Sequence, residues 1–160
     1  MIELPSEVRT VEKNQPPRDL VIVGLPKIGK GTILGALTKE KNALVLDLEK
    51  GGYGFIDARV VSVYGENDDR IDAYQNYLEV REALLAEKGK YDYLIIDVLS
   101  ELDAFSEIGG TYYYMYQTTM GKNFNRRKDN SVIDIRDPEF RMVTTLGDGA
   151  GFQYTRKFFL

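Results

Sequence analysis

Residues 24–32 read GLPKIGKGT, and their types and spacing suit one task, the binding of a phosphate chain. Such a loop works because successive backbone N–H groups converge on an anion at the start of a helix, where the dipole also favours negative charge, while a lysine reaches the outer phosphates. Gly24 and Gly29 permit the tight path and Lys30 supplies the charge. No proline interrupts the backbone donors of Lys27, Ile28, Gly29, Lys30, Gly31 and Thr32. The pattern G-x-x-x-x-G-K-[ST] is met except at its last position, where Gly31 stands in place of the hydroxyl residue that helps to hold a metal ion. Thr32 is then the hydroxyl left for the metal shell and for an inner phosphate. The dinucleotide-type spacing G-x-G-x-x-G is absent and gives the lysine no part, even though Glu49 stands about 20 residues on, where a ribose-binding acid would fall.

Two acids extend the constellation. Asp97 ends the apolar stretch YLIID, where an acid can hold a nucleotide's metal directly or through water. Glu49, in LDLEKGG, is placed to orient an attacking water, with Asp47 as its substitute. Each has a plainer reading as well: a helix N-cap for Asp97, turn chemistry before Gly51 and Gly52 for Glu49. The chain has no histidine and no cysteine, which removes the usual general base, the usual zinc ligand, disulfides and thiolate metal sites. Chemistry falls to carboxylates, Lys, Arg, Thr, Tyr and backbone amides.

The loop needs a strand before it and a helix after it. DLVIVG (19–24) is a short apolar run stopped by glycine, which predicts a buried parallel strand, and KGTILGALTKE (30–40) predicts a helix with Ile33, Leu34 and Leu37 inward. NALVLDLEKGG (42–52) and ARVVSVYG (58–65) predict two further strands. DAYQNYLEVREALLAEKGK (72–90) predicts a helix with Tyr77, Val80, Leu84 and Leu85 on one face, closed by Gly89, and YDYLIIDVLS (91–100) the strand that carries Asp97. Strands alternating with helices give an α/β domain around a mainly parallel sheet. Beyond residue 100 the pattern weakens: partly helical to Gly121, loop-like over NFNRRKDNSVIDIRDPE, then a glycine-rich turn flanked by helix. The opening MIELPSEVRTVEKNQPPR (1–18), polar with three prolines, reads as a flexible arm ahead of one domain over 19–160.

At 160 residues with 43% hydrophobic composition, one core is the expectation. No apolar run approaches the roughly 18 residues of a spanning helix, and the N-terminus lacks a signal-peptide pattern, so the chain reads as cytoplasmic. The net charge of −4 is uneven, because residues 117–157 hold eight Lys/Arg against five Asp/Glu. Single-stranded nucleic acid is held by cations and by aromatic faces, and TTMGKNFNRRKDN offers Lys122, Phe124, Arg126, Arg127 and Lys128. The tyrosines of TYYYMYQ read first as core or subunit packing and second as a stacking platform.

GLPKIGKGTIL, LVLDLEKGG followed by FIDA, YDYLIIDVLSEL, GKNF and GAGFQYTRKFF occur in an order that resembles phage-encoded RecA-like ATPases of the AAA type, among them single-strand annealing proteins of the Sak group. The resemblance implies a three-layer, RecA-like P-loop NTPase fold, ATP and magnesium as cofactors, single-stranded DNA as partner, homo-oligomers, and the host cytoplasm as location. It matches Lys30 and Thr32 to the phosphate loop, Glu49 to the catalytic glutamate and Asp97 to the second-motif acid. Two departures accompany it. Gly31 lacks the family's hydroxyl, and the chain stops at Leu160, where family members continue into a further strand, which leaves the expected sheet incomplete at the C-terminus. A Gly-Lys-Gly-Thr loop after Gly-x-Pro also resembles nucleoside monophosphate kinases, for which Arg126, Arg127, Arg136 and Arg141 could clamp phosphates. LDLEKGG has no place in that family. A third reading is a nucleotide-binding assembly module without turnover.

Overall fold

Ala43, Leu44, Val45 and Leu46 form an apolar run too short for a buried helix, and with Asp47 they make β1 (Ala43–Asp47), every residue of which is buried. β1 is the middle of a three-stranded sheet in the order β2-β1-β3, with both pairings parallel. β2 (Arg59–Ser62) lies on one side and β3 (Tyr93–Asp97) on the other. The chain returns from β2 to β3 through α2 (Arg70–Ala86), as a parallel crossover requires. A computed structural model describes residues 21–25, 27–40, 42–49 and 57–159. The arm expected over 1–18 lies outside them. The chain divides into two units, Met1–Lys30 and Gly31–Leu160.

α2 starts sharply because Asp69 caps it. The Asp69 carboxylate accepts from the N–H groups of Ile71 and Asp72, and Asp72 reaches back to the Asp69 N–H, a reciprocal capping box. Arg136 grips both carboxylates from a turn far along the chain. The buried face of α2 begins at Ala73 and Tyr74, earlier than the apolar spacing suggested, and Leu85 is exposed. In α1 (Lys30–Glu40) only Leu34 of the three expected positions is buried. Ile33 and Leu37, one turn apart, share an outward side, and Leu34 stands about 100° round from Ile33.

The weak pattern after residue 100 resolves into one long helix, α3 (Leu99–Gln117), which runs through Gly109 and Gly110. Glycine inside a helix is unfavourable by about 1 kcal/mol. It is kept here because the C-terminal segment presses against that point. A Cβ on Gly110 would come 2.7 Å from the backbone nitrogen of Thr155, and one on Gly109 2.5 Å from the ring of Phe158. The segment carries a short helix, α4 (Phe152–Thr155), and a 3-10 turn over Arg156–Phe159.

Two apolar clusters result. Leu46 and Leu48, at and just past the end of β1, and Val63, just past β2, pack with Ala73 and Tyr74 of α2 and Leu102, Phe105 and Ile108 of α3. Tyr114, Met115, Phe124 and Val143 form the second, under the irregular segment that follows α3. That segment is well tied: Asn125, buried and left-handed, donates to the carbonyl of Arg141 and accepts its N–H. The expected strand over 19–24 is not found in the part described. Residues 21–25 are irregular, with Val21, Val23 and Leu25 strongly exposed. An apolar run becomes a strand only where a neighbour supplies the ladder hydrogen bonds, and among the described residues no strand pairs with this stretch.

Candidate nucleotide site

Lys30 is the first residue of α1, and its Nζ donates to the carbonyl oxygens of Gly24 and Leu25, each at 2.9 Å. The loop therefore closes on its own lysine, whose two acceptors are neutral. Anionic phosphate oxygens are stronger acceptors for an ammonium group and would displace them. Gly29 has φ +96° and Lys27 φ 64°, so two left-handed residues bend the chain into the helix. Alternation of this kind turns successive N–H groups toward a common point. The first turn of α1 contains no acidic residue, which leaves its N–H groups uncompensated. Gly31 and Thr32 both lie in that turn, Thr32 with its side chain exposed.

In the second unit the acids come together by strand register. Asp47 of β1 pairs directly with Asp97 of β3 at the carboxyl ends of two adjacent parallel strands. Neighbouring strands lie about 4.8 Å apart, so two carboxylates stand side by side. β1 connects to β2 on one side and faces β3 on the other, which makes this the point of an open parallel sheet where ligands bind. Their surroundings differ. Asp47 is only 5% exposed and its Oδ1 accepts the N–H of Glu49 at 3.1 Å. Glu49 itself is exposed. Asp47 thus shapes the exit from β1, and Glu49 is the one in contact with solvent.

Asp97 is half-buried, and its Oδ1 accepts from the N–H of Val98 at 3.1 Å. Val98 has φ 65° and ψ 75°, a left-handed conformation that a β-branched residue avoids. Glu101, in the first turn of α3, is held by Arg70 through both guanidinium Nε and Nη2 and by the hydroxyl of Tyr64 at 3.0 Å. Burial, and then this bond to Glu101, raises the Tyr64 phenol above its ordinary pKa. Spacing signalled Lys30 and Asp97 in the sequence. The Asp47–Asp97 register and the hold on Glu101 had no such signal, since each joins segments far apart in the chain, and a valine gives no local sign of a left-handed backbone. Among the described residues no three acidic side chains gather into a metal-holding group. A metal at Asp97 would need further oxygen ligands besides this carboxylate.

The candidates for nucleic-acid contact require correction. Phe124 is 7% exposed, packs edge-on to Tyr114 with ring centroids 5.2 Å apart, and lies under the Arg141 guanidinium at 4.8 Å. It is a core residue and presents no face to a base, because an aromatic side chain in this segment is worth more buried. Arg127 is paired with Asp137, and Arg126 donates to the carbonyls of Lys122 and Asn130. Lys122 and Lys128 are exposed. Much of the positive excess of this segment is therefore engaged within the fold. Of the tyrosines, Tyr114 is buried, Tyr112 stacks between Tyr74 and Tyr116, and Tyr113 and Tyr116 are exposed.

A family model described as an AAA domain matches residues 17–122, more than half of the chain and the whole stretch from the phosphate loop through Asp97. The small open parallel sheet with its helices is consistent with the P-loop NTPase fold. No curated protein and no solved structure matches the chain. No helix among the described residues is long and apolar enough to cross a membrane.

Proposed function

The chain belongs to the AAA domain family, and from that premise we propose that it is an ATPase of RecA-like type that acts on single-stranded DNA, as its resemblance to phage annealing proteins implies. The observation that carries the nucleotide part is the loop itself: a lysine held, among the described residues, by the Gly24 and Leu25 carbonyls, at the start of a helix whose first turn has no acid. Lys30 exchanges those carbonyls for β- and γ-phosphate oxygens, and the N–H groups of residues 27–32 receive the phosphate chain. Asp97 and Thr32 hold the metal shell, and magnesium, when bound, neutralises charge on the phosphates. Glu49 orients water toward the γ-phosphate, with its backbone fixed through Asp47.

The DNA part rests on the resemblance and on the cations Lys122, Arg126 and Lys128 outside the packed Phe124. Homo-oligomers and a host-cytoplasm location belong to the same reading. The test is phosphate release from ATP with and without single-stranded DNA. Stimulation of several-fold is expected. Hydrolysis indifferent to DNA removes the DNA partner from the account, and transfer of phosphate to AMP or a deoxynucleoside monophosphate would replace it with a kinase.

A further inference from the structure

Val98 is the hinge between Asp97 and α3, and it is held in an unfavourable shape. Its N–H donates to the Asp97 carboxylate, and its carbonyl accepts the N–H of Glu101 at 3.1 Å. A left-handed valine persists only where its surroundings over-determine it. The helix start offers no side-chain cap to do so. One turn into the helix, the Glu101 carboxylate is gripped by Arg70 from the start of α2 and by Tyr64 just past β2. Glu101 is half-buried, with its side chain 20% exposed. Two connections that leave the carboxyl edge of the sheet, β2 to α2 and β3 to α3, are thus tied together at one carboxylate, four residues past Asp97.

We propose that Glu101 is a positioning residue for Asp97: clamped by Arg70 and Tyr64, it keeps Val98 left-handed and so fixes the direction in which the Asp97 carboxylate faces the metal shell. The proposal rests on the nucleotide reading given above for the role of Asp97, while the brace itself does not. Positioning groups behind a metal-binding carboxylate tune affinity by about 10-fold or more. Glycine adopts the left-handed region freely, so a glycine at position 98 needs no brace.

The experiment compares wild type, Glu101→Gln, Val98→Gly and the double variant in two measurements. The first is nucleotide affinity over a magnesium titration. Glu101→Gln is expected to raise the magnesium concentration needed for half-maximal tightening by about 10-fold with magnesium-free affinity unchanged. In the Val98→Gly background the same change is expected to have less than about a twofold effect. The second is amide exchange at Val98 without any ligand, expected to quicken roughly tenfold in Glu101→Gln relative to the global exchange of the core. A Glu101→Gln protein that merely melts earlier, with magnesium dependence and relative Val98 exchange unchanged, overturns the proposal. So does an equal loss in both backgrounds. If wild type binds no nucleotide at all, the nucleotide reading falls, and the exchange measurement alone decides the brace.

Discussion

Gly31 is the residue at which this phosphate loop departs from its pattern, and the structure locates the consequence. The features suited to phosphate are backbone features: the left-handed Gly29 and Lys27 and the N–H groups at the start of α1. They do not depend on a hydroxyl at position 31. Lys30, folded onto two carbonyls, is likewise independent of it. In the proposed reading the missing group bears on the metal, for which Asp97, Thr32, phosphate oxygens and water would remain. Gly31→Thr should therefore tighten magnesium-dependent nucleotide binding by about 1 kcal/mol, the worth of one added hydrogen-bonding ligand, and leave magnesium-free binding alone. Calorimetric titration at two magnesium concentrations reads the difference, and equal affinities for both proteins would show that the hydroxyl was never limiting.

At the scale of elements, the fit of α3 to the C-terminal segment is the most sharply defined packing contact. Gly110→Ala places a methyl group 2.7 Å from backbone of Thr155, which cannot turn aside as a side chain would. Overpacking of this kind costs about 2 kcal/mol, more than the roughly 1 kcal/mol that alanine gains over glycine in a helix. Urea denaturation should show a net loss, whereas a gain would mean that the segment is not seated on α3. The same contact explains what the sequence could and could not disclose. α1 was legible to its ends, and β1, β2 and β3 fall inside the apolar runs that announced them, because a short buried strand bounded by turn residues is a local pattern. The course of α3 through two glycines was not, since the reason for them lies more than forty residues away. The irregular Val21–Leu25 stretch is the converse case, an apolar run whose outcome depends on a partner strand. In the candidate site, Lys30 and Asp97 could be read from spacing, but the Asp47–Asp97 pairing and the Arg70–Glu101–Tyr64 hold depend on register and crossover. Phe124 shows the opposite failure: an aromatic among cations suggests base stacking, and burial in the second cluster removes it.

For the molecule as a whole, charge and chemistry are divided. Residues 24–30 of the phosphate loop lie in the unit Met1–Lys30, whereas Gly31, Thr32, the paired acids, Glu49 and the brace on Glu101 belong to Gly31–Leu160. Two of the eight basic residues over 117–157 are spent on internal ion pairs, Arg127 on Asp137 and Arg136 on Asp69 and Asp72. A contribution of this surface to DNA binding would thus come from few cations and depend only weakly on salt, since the slope scales with the number of phosphates neutralised. The claim on which all else depends is that Lys30 and its loop bind nucleotide. The most direct measurement is ATP affinity of wild type against Lys30→Ala in the presence of magnesium. The account predicts binding by the wild type and a loss of at least about 100-fold in the variant, as befits removal of a charged partner from phosphate. Undiminished ATP affinity in Lys30→Ala would contradict it.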